Sequence, residues 1–258
     1  MTKIKAMTEP EWLTGCDYHR MLKHAQQHLR VSRTPGGARR LRLLAVACCR
    51  HVWPLLTDPR SRAAVEAAER YADGKARRAE LEEAAAAANE VEREARQRSN
   101  QLDRSRASQE EQMAIDQAWH LAGMPVRTTY TLLLADWVRF LLGDLGRVPT
   151  APRDGDPEAV SAARQQGAAI AADLVRDVFG NPFRPAPVVA DAWLAWQGGT
   201  IARMARAIYE ERAFDRLPVL ADALEEAGCA EAEILDHCRR SGPHARGCWL
   251  LDALLAAG

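Results

Sequence analysis

The chain has few aromatic residues (6%), no excess charge of either sign and no apolar stretch of the ~18 residues that a membrane span needs. It also contains no glycine-rich nucleotide loop and no Gly-x-Ser-x-Gly elbow. These absences exclude a transmembrane protein, a P-loop or dinucleotide-binding enzyme, and a hydrolase built on a serine elbow. Balanced charge argues against a wholesale polyanion binder without ruling out local patches. Cysteine is sparse for the length: Cys16, Cys48, Cys49, Cys229, Cys238 and Cys248 in 258 residues do not read as a disulfide framework. The opening MTKIKAMTEPEWL has two lysines but no apolar stretch behind them, so no secretory leader is expected there and the expected location is cytoplasmic, with reduced thiols.

What is present favours helices. Hydrophobic residues make up 47% of the chain and alanine alone about 19%, while β-branched residues are scarce. Thr8-Glu9-Pro10-Glu11 has the form of a capping box with proline in the first turn. Asp17 is placed to cap a second helix, and Pro35-Gly36-Gly37 reads as the break after it. Over 38–56, Leu41, Leu44, Ala45, Cys48, Val52 and Leu55 make one apolar stripe, the central helix of an N-terminal block 8–75. Asp58-Pro59 opens the next helix and Gly74 closes it. Residues 76–106 are mostly Ala, Glu and Arg, with Leu81, Val91 and Leu102 the only large apolar side chains. This predicts an exposed helical arm. A C-terminal block 108–258 starts at the capping pattern Ser108–Glu111, is interrupted by a linker candidate at 147–156, and ends in helices over 200–212, 215–227, 230–239 and 245–257. The expectation is a single all-α domain, a multi-helix bundle or orthogonal array with one long Ala/charged helix projecting.

Chemistry-bearing residues concentrate in one segment, His237-Cys238 to His244 and Cys248. Thiolate and imidazole are zinc's ligands, and zinc is the cofactor that His237, Cys238, His244 and Cys248 would take. The spacing matches no finger or ribbon, so the alternative of a helix–loop–helix corner with core cysteines stays open. Arg239-x4-His244 has a spacing used by some helical ribonucleases, here interrupted by Gly242 and Pro243. His24 and His28 share a helix face but lack the glutamate of a zincin. No catalytic residue is assigned.

The neutral total hides an asymmetry. Residues 1–56 carry ten lysines and arginines against three acidic residues, and the remainder is acidic by the same margin. Arg33, Arg39, Arg40, Arg42 and Arg50 form a candidate basic patch for nucleic-acid phosphates. The same charge could instead dock on the acidic remainder or on a protein partner.

LRLLAVACCR (41–50), LTD (56–58), AERYADG (68–74), FGNPFRP (179–185), AIYEERAFDRLPVLADALEEAGC (207–229) and the segment His237–Asp252 resemble a large family of helical proteins of planctomycete bacteria. VLADALEEAGCAEAEIL is also similar to the short helical repeat-companion domain of those bacteria. The resemblance implies an all-α bacterial protein with a variable Ala/Arg-rich middle, and it brings no activity with it. The expected function is therefore a non-enzymatic interaction or scaffold protein with a protein partner or a second copy of itself. A nucleic-acid-associated protein and a metal-binding protein or metal-dependent enzyme are the alternatives.

Overall fold

In the computed structural model residues 7–28, 34–102, 108, 111, 122–125 and 157–257 are described, and no strand occurs among them. The elements are α1 (Glu9–Thr14), α2 (Tyr18–His28), α3 (Pro35–His51), α4 (Pro59–Ala72), α5 (Arg78–Gln101), α6 (Pro157–Phe179), α7 (Asp191–Ala195), α8 (Thr200–Glu211), α9 (Leu217–Glu226), α10 (Ala232–Arg239) and α11 (Trp249–Ala257). The fold is an all-α bundle. None of the described helices is long and apolar enough to cross a membrane. The linker candidate at 147–156 and Arg33 lie outside the described residues.

Local chemistry accounts for the helix starts. At α1 the Glu11 amide donates to the Thr8 hydroxyl while the Thr8 amide donates to the Glu11 carboxylate, a reciprocal capping box. Ser108 and Glu111 exchange the same pair of bonds. Asp17 accepts from the Arg20 amide, and Asp58 from the Arg60 amide at the start of α4. Pro35-Gly36-Gly37 is not a break. Thr34 caps the Gly37 amide, and Pro35 is the first residue of α3, where its missing N–H costs nothing.

Two hydrophobic clusters carry most of the burial. The first joins Trp12, Met21 and Leu22 of α1 and α2 to Leu41, Leu44 and Cys48 of α3, Val65 of α4, and Leu174, Val175 and Val178 of α6. Thus α6, late in the chain, completes the N-terminal core by packing on α2 and α3. The second is built from α8 to α11 around Ile201, Ile208, Leu220, Leu224, Ile234 and Leu251. Two glycines bring the clusters together. Gly180 has φ +66°, and a Cβ there would lie 3.2 Å from Trp249 Cγ. Gly247, at φ +91°, would put a Cβ 2.9 Å from Leu43 Cβ of α3.

The long Ala/charged helix α5 packs along α4 instead of standing clear of it. Its inward face is Leu81, Ala88, Val91, Ala95 and Ser99. Such small side chains let two helix axes approach closely, so little apolar volume is needed to seat the helix.

Candidate functional site

The end of α6, the end of α10 and the turn 240–248 meet at a buried carboxylate. Asp177 has no solvent exposure. Its Oδ2 accepts from the Ala245 amide at 3.0 Å, and its Oδ1 lies 2.6 Å from His244 Nδ1 and 3.5 Å from both His237 Nε2 and Arg240 Nη2. His237 Nε2 is 3.1 Å from Cys248 Sγ, and the Trp249 indole Nε1–H donates to His237 Nδ1 at 3.1 Å. Asp177, His237, His244 and Cys248 therefore converge, each offering a donor atom within 4.8 Å of the others. Cys238 does not join them. It is the neighbour of His237 on a helix, so its side chain leaves the axis about 100° away, and it packs in the second core instead. Burial pushes its thiol up to about 12.

The hydrogen bonds define the proton positions. An indole nitrogen only donates, so His237 Nδ1 is the acceptor and Nε2 carries the ring proton, which it can give to Cys248 or Asp177. Burial, with Arg240 and His244 adding to it, holds the His237 pKa well below its ordinary value, so the ring is neutral. Burial, reinforced by Asp177, holds the Cys248 thiol well above its ordinary range, so it is protonated. His244 Nδ1 donates to Asp177, and its buried Nε2 has no hydrogen-bond partner among the described residues.

These four side chains have the chemistry of a zinc ligand set, and two features of their hydrogen-bonded arrangement would have to change for them to hold the ion. Zinc bonds of ~2.0–2.1 Å to nitrogen or oxygen put neighbouring ligand atoms about 3.3 Å apart in a tetrahedron, whereas His244 Nδ1 and Asp177 Oδ1 are 2.6 Å apart. Binding through His237 Nε2 would also require a lone pair where the Trp249 bond leaves a proton. The four side chains are hydrogen-bonded among themselves and to Ala245 and Trp249, a knot that joins α6 to the α10–α11 turn.

The candidate basic patch does not share one surface. Arg39 of α3 reaches Asp252 at 2.5 Å, Asp73 at 3.0 Å and the Tyr209 hydroxyl at 2.7 Å. Burial opposes its charge, but the bond to Asp252 and the surrounding acidic groups outweigh it and raise its pKa. Arg42 is buried, with its guanidinium 5.0 Å from the Tyr71 ring centre. Arg50 stacks 3.9 Å over Trp53 and bonds the buried Glu69, which Arg212 also grips. Glu69 remains ionised: burial raises its pKa, and the bond to Arg212 and the charge of Arg50 more than reverse that. Arg246 lies 3.7 Å from both Glu69 and Asp73. A chain of alternating charges thus runs from Arg50 through Glu69, Arg246, Asp73 and Arg39 to Asp252, tying the basic N-terminal quarter to the rest of the chain. Arg40 has no hydrogen bond or ion pair with another of the described residues, and it lines the cleft described below.

The other candidates take structural places. Cys48 and Cys49 lie in the first core. His24 stacks on His28 at 4.0 Å and on Phe183 at 4.6 Å. Arg239 turns to Asp222 and Glu225 of α9, away from His244.

Between the two ends of the chain lies a cleft of about 730 Å³. Its wall includes Arg40 of α3, Lys75, Arg184 and Arg206, with Tyr209 and Asp252 among its other residues. Lys75 faces Glu210 at 3.6 Å and Arg184 faces Glu9 at 2.6 Å. Sequence reasoning missed Asp177 and Glu69, the two buried acids that organise these regions.

No family model matches the chain, and comparison with curated proteins and with solved structures produced no match either.

Proposed function

We propose that this chain is a helical interaction protein, without catalytic activity of its own, that takes an acidic segment of a partner protein in the cleft between its two ends. One observation carries the reading: while Arg39 and Arg50 of α3 are tied to carboxylates, Arg40 and Arg206 of the cleft wall have no ion pair among the described residues. Two unmatched cations on a concave wall suit a carboxylate-rich segment. The protein reading is favoured over nucleic acid because Arg39, Arg42 and Arg50 are turned inward, leaving no broad basic face of the described patch to track a phosphate backbone.

Fluorescence anisotropy with a labelled Glu/Asp-rich peptide tests this, with a labelled duplex oligonucleotide and a Lys-rich peptide as comparators. Binding of the acidic peptide, weakened by salt and lost in the Arg40→Glu/Arg206→Glu double variant, is the expected result. Binding of the oligonucleotide alone would replace this reading with the nucleic-acid one.

A further inference from the structure

The four ligand-type side chains at the corner between the two cores come from three stretches of chain: Asp177 near the end of α6, His237 on α10, and His244 and Cys248 in the turn before α11. All four are enclosed. Asp177 and Cys248 have no solvent exposure, and the side chains of His237 and His244 are 6% and 5% exposed. Enclosure suits a structural zinc, whose four protein ligands leave no position open for substrate. The donor types suit it as well. A sulfur and two imidazoles do not serve calcium or magnesium, which take oxygen ligands. One carboxylate and one thiolate also match the double charge of the ion, so the filled set is neutral and brings no net charge into the interior.

The two changes that binding requires are small. His244 lies on the turn and not in a helix, and Ser241 and Gly242 just before it are exposed. That stretch can move outward far enough to take His244 Nδ1 from 2.6 Å to about 3.3 Å from Asp177 Oδ1. At His237 the ring proton passes from Nε2 to Nδ1, and the Trp249 indole gives up its bond to that nitrogen. A cavity of about 370 Å³ has both His237 and Trp249 in its wall, with room for water to accept from the two N–H groups. A partner of that kind on the outer ring nitrogen is the usual support of a zinc-bound histidine.

We infer that Asp177, His237 through Nε2, His244 through Nδ1 and Cys248 bind one zinc ion, which pins α6 of the first core to α10 and the turn of the second. As the zinc–sulfur bond forms, the Cys248 S–H bond breaks and its proton goes to solvent, with no change of oxidation state. The Trp249 hydrogen bond belongs to the metal-free arrangement and competes with the ion for His237. Cys238 takes no part and stays in the second core.

Metal analysis of the full chain produced with added zinc, and titration of the metal-free chain with Co(II), test the site. One zinc per chain is expected, together with a thiolate-to-cobalt absorption band that saturates at one equivalent. Cys248→Ser should abolish the band, Cys238→Ser should leave it intact, and Asp177→Asn should weaken binding about tenfold or more. Trp249→Phe removes the competing donor and is expected to tighten binding about tenfold, a gain that a damaged fold would not produce. The Arg40→Glu/Arg206→Glu variant should bind the metal as the parent does, which separates this site from the cleft. Absence of both stoichiometric zinc and the cobalt band in the parent would overturn the proposal, as would a band that survives Cys248→Ser and disappears in Cys238→Ser.

Discussion

The α4–α5 pair and the C-terminal helices α8–α11 are both almost wholly helical, yet they are stabilised differently. In the C-terminal core large aliphatic side chains such as Ile201, Leu220, Leu224, Leu251 and Leu254 are completely buried, and each removes most of its apolar surface from water, about 1.5–3 kcal/mol apiece. The face that α5 buries has one leucine and one valine among alanines and a serine. Helix propensity and close approach do there what burial does elsewhere, supplemented by surface ion pairs such as Arg60 with Glu94. A helix can therefore be well formed and yet weakly coupled to the rest of the molecule, and it is the weakly coupled one that opens first.

The largest effect is expected where the two cores meet. Asp177→Ala leaves His237, His244, Arg240 and the Ala245 amide without their shared acceptor, and a loss of about 3–5 kcal/mol follows for a broken buried charged network. Chemical denaturation measures it, and a loss below ~1 kcal/mol would show that the corner does not hold the cores together. With zinc bound, the same corner is expected to be stronger: removing the ion with a chelator should lower the melting temperature, and an unchanged value would count against the zinc site.

Within the regions, Leu220→Ala is expected to cost about 2–5 kcal/mol, because Leu220 is fully enclosed by α8–α11. Ala88→Gly in α5 is expected to cost only about 1 kcal/mol, the difference in helix propensity. Equal losses from the two substitutions would erase the distinction between a core stabilised by burial and a pair stabilised by propensity.

Particular residues show why some of this was legible in the sequence and some was not. Caps act over three or four residues, so Thr8 with Glu11, Asp58 before Pro59 and Ser108 with Glu111 could be read directly. Pro35 was ambiguous, since proline both ends and begins helices, and the decisive partner was Thr34 on its N-terminal side. The projecting arm followed from treating alanine as surface filler, but Ala84 and Ala88 pack against Ala64 of α4. The His/Cys segment is recognisable in the sequence as a place where chemistry-bearing residues gather, but which of them meet depends on distance through space. Asp177 lies sixty residues before His237 and nothing local marks it. Cys238 is adjacent to His237 and faces elsewhere. The asymmetry of charge was visible, but Glu69 and Asp73, which receive it together with Asp252, are scattered along the chain.

Acidification of the metal-free chain should act on one region more than the other. His237 stays neutral when folded, while in the unfolded chain it takes up a proton near its ordinary value of about 6.5. Below that pH the unfolded state binds more protons, so stability decreases as the pH falls from about 6.5 toward the depressed folded value. His24 and His51, whose pKa values burial also lowers, act in the same direction. The stretch forming α4 and α5 contains no histidine. Hydrogen exchange at pH 7.5 and 5.5, corrected for intrinsic rates, is expected to show protection falling at α10 and α11 before it falls in α5 beyond its already lower level. A melting temperature that is flat across this window would contradict the neutral, desolvated His237.

The smallest effect is expected from Arg60→Ala, and it tests how loosely α5 is held. Arg60 reaches Glu94 of α5 at 2.9 Å while also holding Asp58 at the cap of α4. Both ends of the Arg60–Glu94 pair face solvent, so their attraction is screened by salt and contributes little to global stability. Removing it should leave the melting temperature within experimental error of the parent while the amides around Glu94 exchange faster. Raising the salt concentration in the parent should do the same, since it screens the same pair, and Glu94→Gln should match Arg60→Ala at α5 without disturbing the α4 cap. If instead the whole chain melts earlier in Glu94→Gln, α5 belongs to the cooperative core, and its alanine face contributes as much coupling as the leucines of the C-terminal helices.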